Sequence, residues 1–170
     1  MTLMSRGRPN KKQKIVELAS PLFLDNGFRA TSIDQVVKRS SISKPTIYNH
    51  FPDKSQLFQY VLNNQTDTLI AQWNRPEPAK IETKLTEVLL NSECLNFYRL
   101  LISEGHLVDS SIDYFNEGFD LLWKREATTI FADFLPFWSG ELLVPYLLYQ
   151  IDIQTVHKTF QRYLTNIQSN

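Results

Sequence analysis

One cysteine in 170 residues, Cys94, excludes an internal disulfide, and its place on an apolar helical face marks it as a small core side chain. Long apolar runs are missing too. Stretches such as Val88-Leu89-Leu90, or Phe134 to Trp138 with Pro136 inside it, are far too short to span a bilayer, and the basic N-terminus is not followed by an apolar signal segment. A cytoplasmic location without membrane contact is expected. There is no Cys-rich ligand spacing, no His-Glu-x-x-His metal motif and no Gly-rich phosphate loop. The three histidines, His50, His106 and His157, are widely separated, and no nucleophile-base arrangement is legible. Catalysis, a cofactor and a metal site are therefore not expected.

The chain has no net charge, yet its charges are unevenly placed. Residues 1–60 hold ten Lys and Arg against four Asp and Glu, whereas the remainder holds eight against fourteen. A positive front can dock on phosphate while an acidic rear stays away from it. An apolar content of 42% is that of a folded chain, and the length suffices for one ordinary core or two small ones sharing a helical seam.

Ile15, Leu18, Ala19, Leu22 and Phe23 recur at helical spacing and predict a helix over Lys11 to Asn26, with Gly27 as its stop and a bend at Pro21. Thr31 can cap a second helix, with Asp34 completing a capping box and Ile33, Val36 and Val37 facing inward. Ser43 can cap a third, where Pro45 costs little because the first backbone donors of a helix have no intrahelical acceptor. Ile42 and Ile47 belong in the shared core, leaving Lys44, Thr46 and Asn49 outward, side chains suited to phosphates or base edges. Pro52 closes this helix, and Asp53 with Gln56 starts a fourth that runs to about Ala71. Two short helices joined by a tight turn, the second polar and basic, outline a helix-turn-helix DNA reader.

Over residues 11–62 the sequence resembles the tetracycline-repressor-like family of transcriptional regulators. The likeness is carried by Ile15, Ala19, Leu22-Phe23 and Gly27, by Thr31, by Ser43-Lys44-Pro45-Thr46-Ile47-Tyr48-Asn49-His50-Phe51, and by Lys54 with Leu57-Phe58. Ser41 departs from the glycine common in the turn, and Pro21 from the helix-compatible residues usual at its position. The resemblance implies an all-α homodimer, with a three-helix reader and its basic N-terminal arm over 1–53, and a connecting helix and a helical ligand-binding and dimerising body over 54–170. It makes Lys44, Pro45 and Thr46 the groove-facing tip, Tyr48, His50 and Lys54 the phosphate-positioning set, Thr31 a further phosphate contact and Asn49 a position that reads sequence. Arg6, Arg8, Lys11, Lys12 and Lys14 would form a mobile arm along the backbone or in the minor groove, with a disordered basic tail as the competing reading.

Asn74-Arg75-Pro76-Glu77-Pro78 breaks the chain before the body. A long central helix is predicted from Ile81 through Leu101, a break over Gly105 to Ser111, a short helix with Ile112, Phe115 and Phe119, and two further helices over Gly118 to Phe137 and Leu143 to Ile167. The last two are the dimer-seam candidates by resemblance, with an ordinary intrachain core as the competing reading. The many large rings of the body suit a cavity for a small apolar or aromatic effector, for which Phe97, His106, Phe119, Trp123, Phe134 and Tyr146 are the candidate lining. Core filling is the competing role for each. These expectations add up to an effector-released repressor that binds double-stranded operator DNA. The alternatives are a constitutive DNA-binding regulator and a helical protein-interaction adaptor.

Overall fold

The computed structural model describes residues 11–74, 76–128, 137–138, 143 and 152–168. Among them the protein is all-helical, with no strand. Helix α1 (Lys11–Ala30) buries Ile15, Val16, Ala19 and Phe23, and its backbone leaves helical values only at Gly27, with φ 79° and ψ 176°. The stop expected at Gly27 is therefore a kink. At Pro21, where a bend was expected, the backbone keeps helical values.

Helix α2 (Ile33–Ser40) is capped by Ser32, not Thr31. The Ser32 hydroxyl accepts the N–H of Gln35, and the Gln35 side chain accepts the N–H of Ser32. A capping box needs a third-position side chain long enough to reach back to the cap, which the Gln35 amide supplies. Ser41 ends α2 in the left-handed region, at φ 55° and ψ 22°, a conformation glycine adopts more readily. Helix α3 (Lys44–His50) is capped by Ser43, as expected, with Ile47 buried at its centre. Helix α4 (Lys54–Trp73) is capped by Asp53, whose carboxylate accepts the Gln56 N–H at 2.8 Å. Its inner face is Leu57, Phe58, Val61, Leu62, Gln65, Thr66, Leu69 and Trp73, and it runs two residues past the expected end at Ala71.

The single helix expected over Ile81 to Leu101 is two. Helix α5 (Ile81–Lys84) widens into a π-turn over Leu85–Leu89 and stops; α6 (Ser92–Glu104) begins anew. Asn91 makes the joint. Its Oδ1 accepts the Cys94 N–H at 2.7 Å, while its Nδ2 donates to the carbonyls of Glu87 and Val88 at 2.9 and 3.0 Å. After a 3₁₀ turn at Gly105–Leu107, α7 (Asp109–Phe115) starts inside the expected break and continues through a π-turn at Asn116–Asp120 into α8 (Leu121–Thr128). Gly118, expected at a helix start, lies within this run, and an added Cβ there would come 3.1 Å from the Ile70 side chain. It serves close approach to α4.

Helix α9 (Ile153–Gln168) buries Val156, Phe160 and Leu164 inside the single chain. Much of the two expected seam segments, 129–136 and 144–151, lies outside the described residues, as do the basic arm through Asn10 and the candidates Phe134 and Tyr146. Cys94 is fully buried, and that burial pushes its thiol above the usual range.

Candidate nucleic-acid interface and body cavity

Ile47 and Phe51, both fully buried, fix α3 to the core like two pegs, which turns Lys44, Pro45, Tyr48 and Asn49 outward and leaves Thr46 and His50 half-buried. Tyr48 keeps 41% of its surface. The Thr46 hydroxyl is 2.7 Å from that of Ser43, within the cap. Lys44 does not stand alone. Its ammonium lies 2.8 Å from the Asp34 carboxylate of α2, and this hydrogen bond and charge raise the lysine above its ordinary range.

Two residues proposed by resemblance as phosphate contacts have their side chains committed inside the fold. Thr31 is 1% exposed, and its hydroxyl donates to the Leu22 carbonyl at 2.9 Å. The Lys54 ammonium donates to the carbonyls of Phe28 and Thr31 at 2.7 and 2.9 Å and lies 4.1 Å from the Phe28 ring centre. It caps the end of α1, where a cation meets the negative pole of a helix. At the other end of α1, the Lys12 ammonium sits 3.7 Å from the Tyr60 ring centre, and Gln13 donates to Asn64 at 2.9 Å. The sequence reading gave Asp34 to a capping box and Lys12 to the basic arm, and the contacts they make escaped it, since neither belongs to a local motif.

In the body, a cavity of about 430 Å³ opens between α6, α7 and α8. Leu101, Ile102, Ile112 and Phe115 give it apolar walls; Tyr98, His106, Asn116, Asp120 and Lys124 bring polar groups. Of the six candidates named from sequence, His106 is on this lining, whereas Phe97, Phe119 and Trp123 are wholly buried and fill the core behind it. The polar groups form a chain. Trp123 Nε1 donates to the Tyr98 hydroxyl at 2.9 Å, that hydroxyl donates to Asp120 at 2.7 Å, and Lys124 pairs with the other Asp120 oxygen. Burial first, and the Asp120 charge second, hold the Tyr98 phenol well above its usual range, so it stays a donor. The readable signal was the Asp120/Lys124 pair, four residues apart in an otherwise apolar stretch.

Residues 15–61, which hold α2, α3 and most of α1, match the family of bacterial regulatory proteins called tetR. This segment is similar to the DNA-binding segment of the tetR family. The HTH-type transcriptional regulator QacR of Staphylococcus aureus is 37% identical over 84 residues, 49% of this chain and 44% of QacR. The activator FasR of Mycolicibacterium smegmatis is 33% identical over 64 residues, 38% of this chain and 29% of FasR. The chain thus spans less than half the length of either relative. The solved structure of Salmonella enterica GusR, 16% identical, covers 96% of both chains with a TM-score of 0.62, so the likeness of fold to that protein extends through the body. The two sequence relatives are named as regulators of transcription and not as enzymes, in line with the chemistry missing from the sequence. Among the described residues no cluster of His, Cys, Asp and Glu could hold a metal ion, and no helix is long and apolar enough to cross a membrane.

Proposed function

We propose that the chain is a homodimeric repressor that binds a pseudopalindromic operator and is released by a small, largely apolar or aromatic effector. The observation that carries this reading is α3, a short helix pinned by Ile47 that turns Lys44, Pro45, Tyr48 and Asn49 outward within the tetR-family segment. Lys44, Pro45, Thr46 and Asn49 meet base edges, and Tyr48 and His50 position the phosphates. Thr31 and Lys54 support the reader from behind, through the end of α1. Residues 1–53 form the reader with its basic arm, and 54–170 the connecting helix and the sensing, dimerising body.

The effector occupies the cavity between α6, α7 and α8, its apolar part against Leu101, Ile112 and Phe115 and a polar edge toward His106 and Lys124. Helix α4 is the link, because it is bonded to the body along its length. Gln59 donates to Ser110 at 2.8 Å, Tyr114 donates to Asp67 at 2.5 Å, and Trp73 Nε1 donates to Glu126 at 2.7 Å. An effector that favours one placement of α7 and α8 thereby favours one orientation of α4, and the spacing of two reading helices follows by population shift.

Thermal-shift screening of small apolar and aromatic compounds, followed by titration of the selected operator duplex with and without a stabilising compound, tests this. Weaker DNA binding with the compound is expected. Stronger binding would overturn release by the effector and reverse the sign of the coupling, and DNA binding that no stabilising compound alters would make it a constitutive regulator. DNA binding absent at low salt would leave the adaptor reading.

A further inference from the structure

The turn from the Gly27 kink to Ser32, the loop that leads α1 into α2, is held from opposite sides by two charged groups, and we propose that one of them, Glu104, is a second route by which the body positions the reader. At Gly27 the backbone turns to φ 79°, and the next two N–H groups, of Phe28 and Arg29, both meet the Glu104 carboxylate: Oε2 accepts from Phe28, and Oε1 accepts from Arg29 at 3.4 Å. A Cβ on residue 27 would lie 2.8 Å from Oε2, so glycine is required for the backbone turn and for the approach of the carboxylate alike. From the other side Lys54 holds the carbonyls of Phe28 and Thr31. The Phe28 ring, 5.1 Å from that of Phe58, closes the grip. Ser32, which caps α2, follows directly, and no slack separates this loop from the helix-turn-helix.

Glu104 is the last residue of α6, and α6 belongs to the body. Two residues on, His106 lines the cavity, as do Leu101 and Ile102 of the same helix. A Cβ on Gly105 would come 2.9 Å from the Ile112 side chain, so the end of α6 is pressed onto α7. A shift of α6 or α7 at the cavity therefore moves the carboxylate that holds the loop. This route reaches α2 from the end of α6 through the loop itself, and does not use the bonds that α4 makes to α7 and α8. Its role in regulation rests on the function proposed above, whereas the latch itself can be tested without DNA or effector.

The test is hydrogen–deuterium exchange on the full chain, comparing wild type with Glu104→Ala and Glu104→Gln. Glu104→Ala removes both acceptors and is expected to speed exchange at Phe28 and Arg29 about tenfold or more, the loss of a charge-assisted hydrogen bond. A smaller rise is expected through 33–50, with residues 81–101 unchanged. Glu104→Gln keeps one acceptor and should fall between; it also gives the answer if the alanine variant melts too low to read. Unchanged exchange over 27–34, or a rise spread evenly over α6, α7 and the loop, would overturn the latch. On an operator selected by the wild type, Glu104→Ala should bind about three- to tenfold more weakly, the effect of losing one such bond; equal binding would also overturn it. A wild type that binds no DNA would defeat the proposed function and leave the exchange result to decide the latch.

Discussion

Lys44 shows how one neighbour changes the meaning of a residue. From sequence it is a cation at the tip of a reading helix; in the fold it is paired with Asp34, both side chains exposed. An exposed pair contributes little to stability, so its consequence falls on binding, where Asp34 competes with phosphate for the lysine. Asp34→Asn is predicted to strengthen binding to random-sequence duplex about two- to fivefold, the scale of an exposed ion pair, read by fluorescence anisotropy at low salt. Unchanged affinity would remove Asp34 from the interface. Lys54 gives the opposite lesson, a motif lysine whose ammonium is spent on two carbonyls and a ring. Lys54→Ala should lower unfolding stability by about 1–3 kcal/mol, measured by urea denaturation, and a loss below about 0.5 kcal/mol would contradict that placement. These partners were not legible in the sequence because the Lys44 partner is ten residues away and those of Lys54 more than twenty. The caps at Ser43 and Asp53 were legible because they act within one turn.

Among the elements, the first four helices follow from local signals, and the body follows less closely. Periodicity alone carried the apolar face from Ile81 to Leu101, but a continuous face does not require a continuous helix. Asn91 interrupts it by serving both neighbours, accepting from Cys94 and donating to Glu87 and Val88. An asparagine followed by Glu93 in the first turn was the available signal of a new start. Gly118 misled in the other direction, since a glycine that admits a neighbouring helix looks in sequence like one that ends its own. Asn91→Ala should cost about 1–2 kcal/mol in denaturant unfolding, and Asn91→Asp, which keeps the acceptor and loses the donor, should cost less. Equal losses for the two would mean that the cap to Cys94 contributes nothing.

For the whole molecule, the division of charge between a basic front and an acidic rear and the helical outline of the reader could be read directly. The cavity could not. The sequence pointed to large rings, and the largest of these, including Trp123, Phe97 and Phe119, are wholly buried because the core takes them first. The cavity is left to aliphatic residues, to Phe115 and His106, and to the Tyr98–Asp120–Lys124 chain, which composition does not reveal. The central claim is that α3 reads base edges as one half of a two-fold pair. Selection of bound duplexes from a random library, by wild type, Lys44→Ala and Asn49→Ala in parallel, tests it most directly. The wild type should enrich a pseudopalindrome whose half-sites are related by two-fold symmetry and spaced by about one helical turn or a multiple of it, and each variant should lose base preference at matching positions in both halves. An unenriched library, or the same motif from all three proteins, would contradict the assignment of α3 as the reading helix.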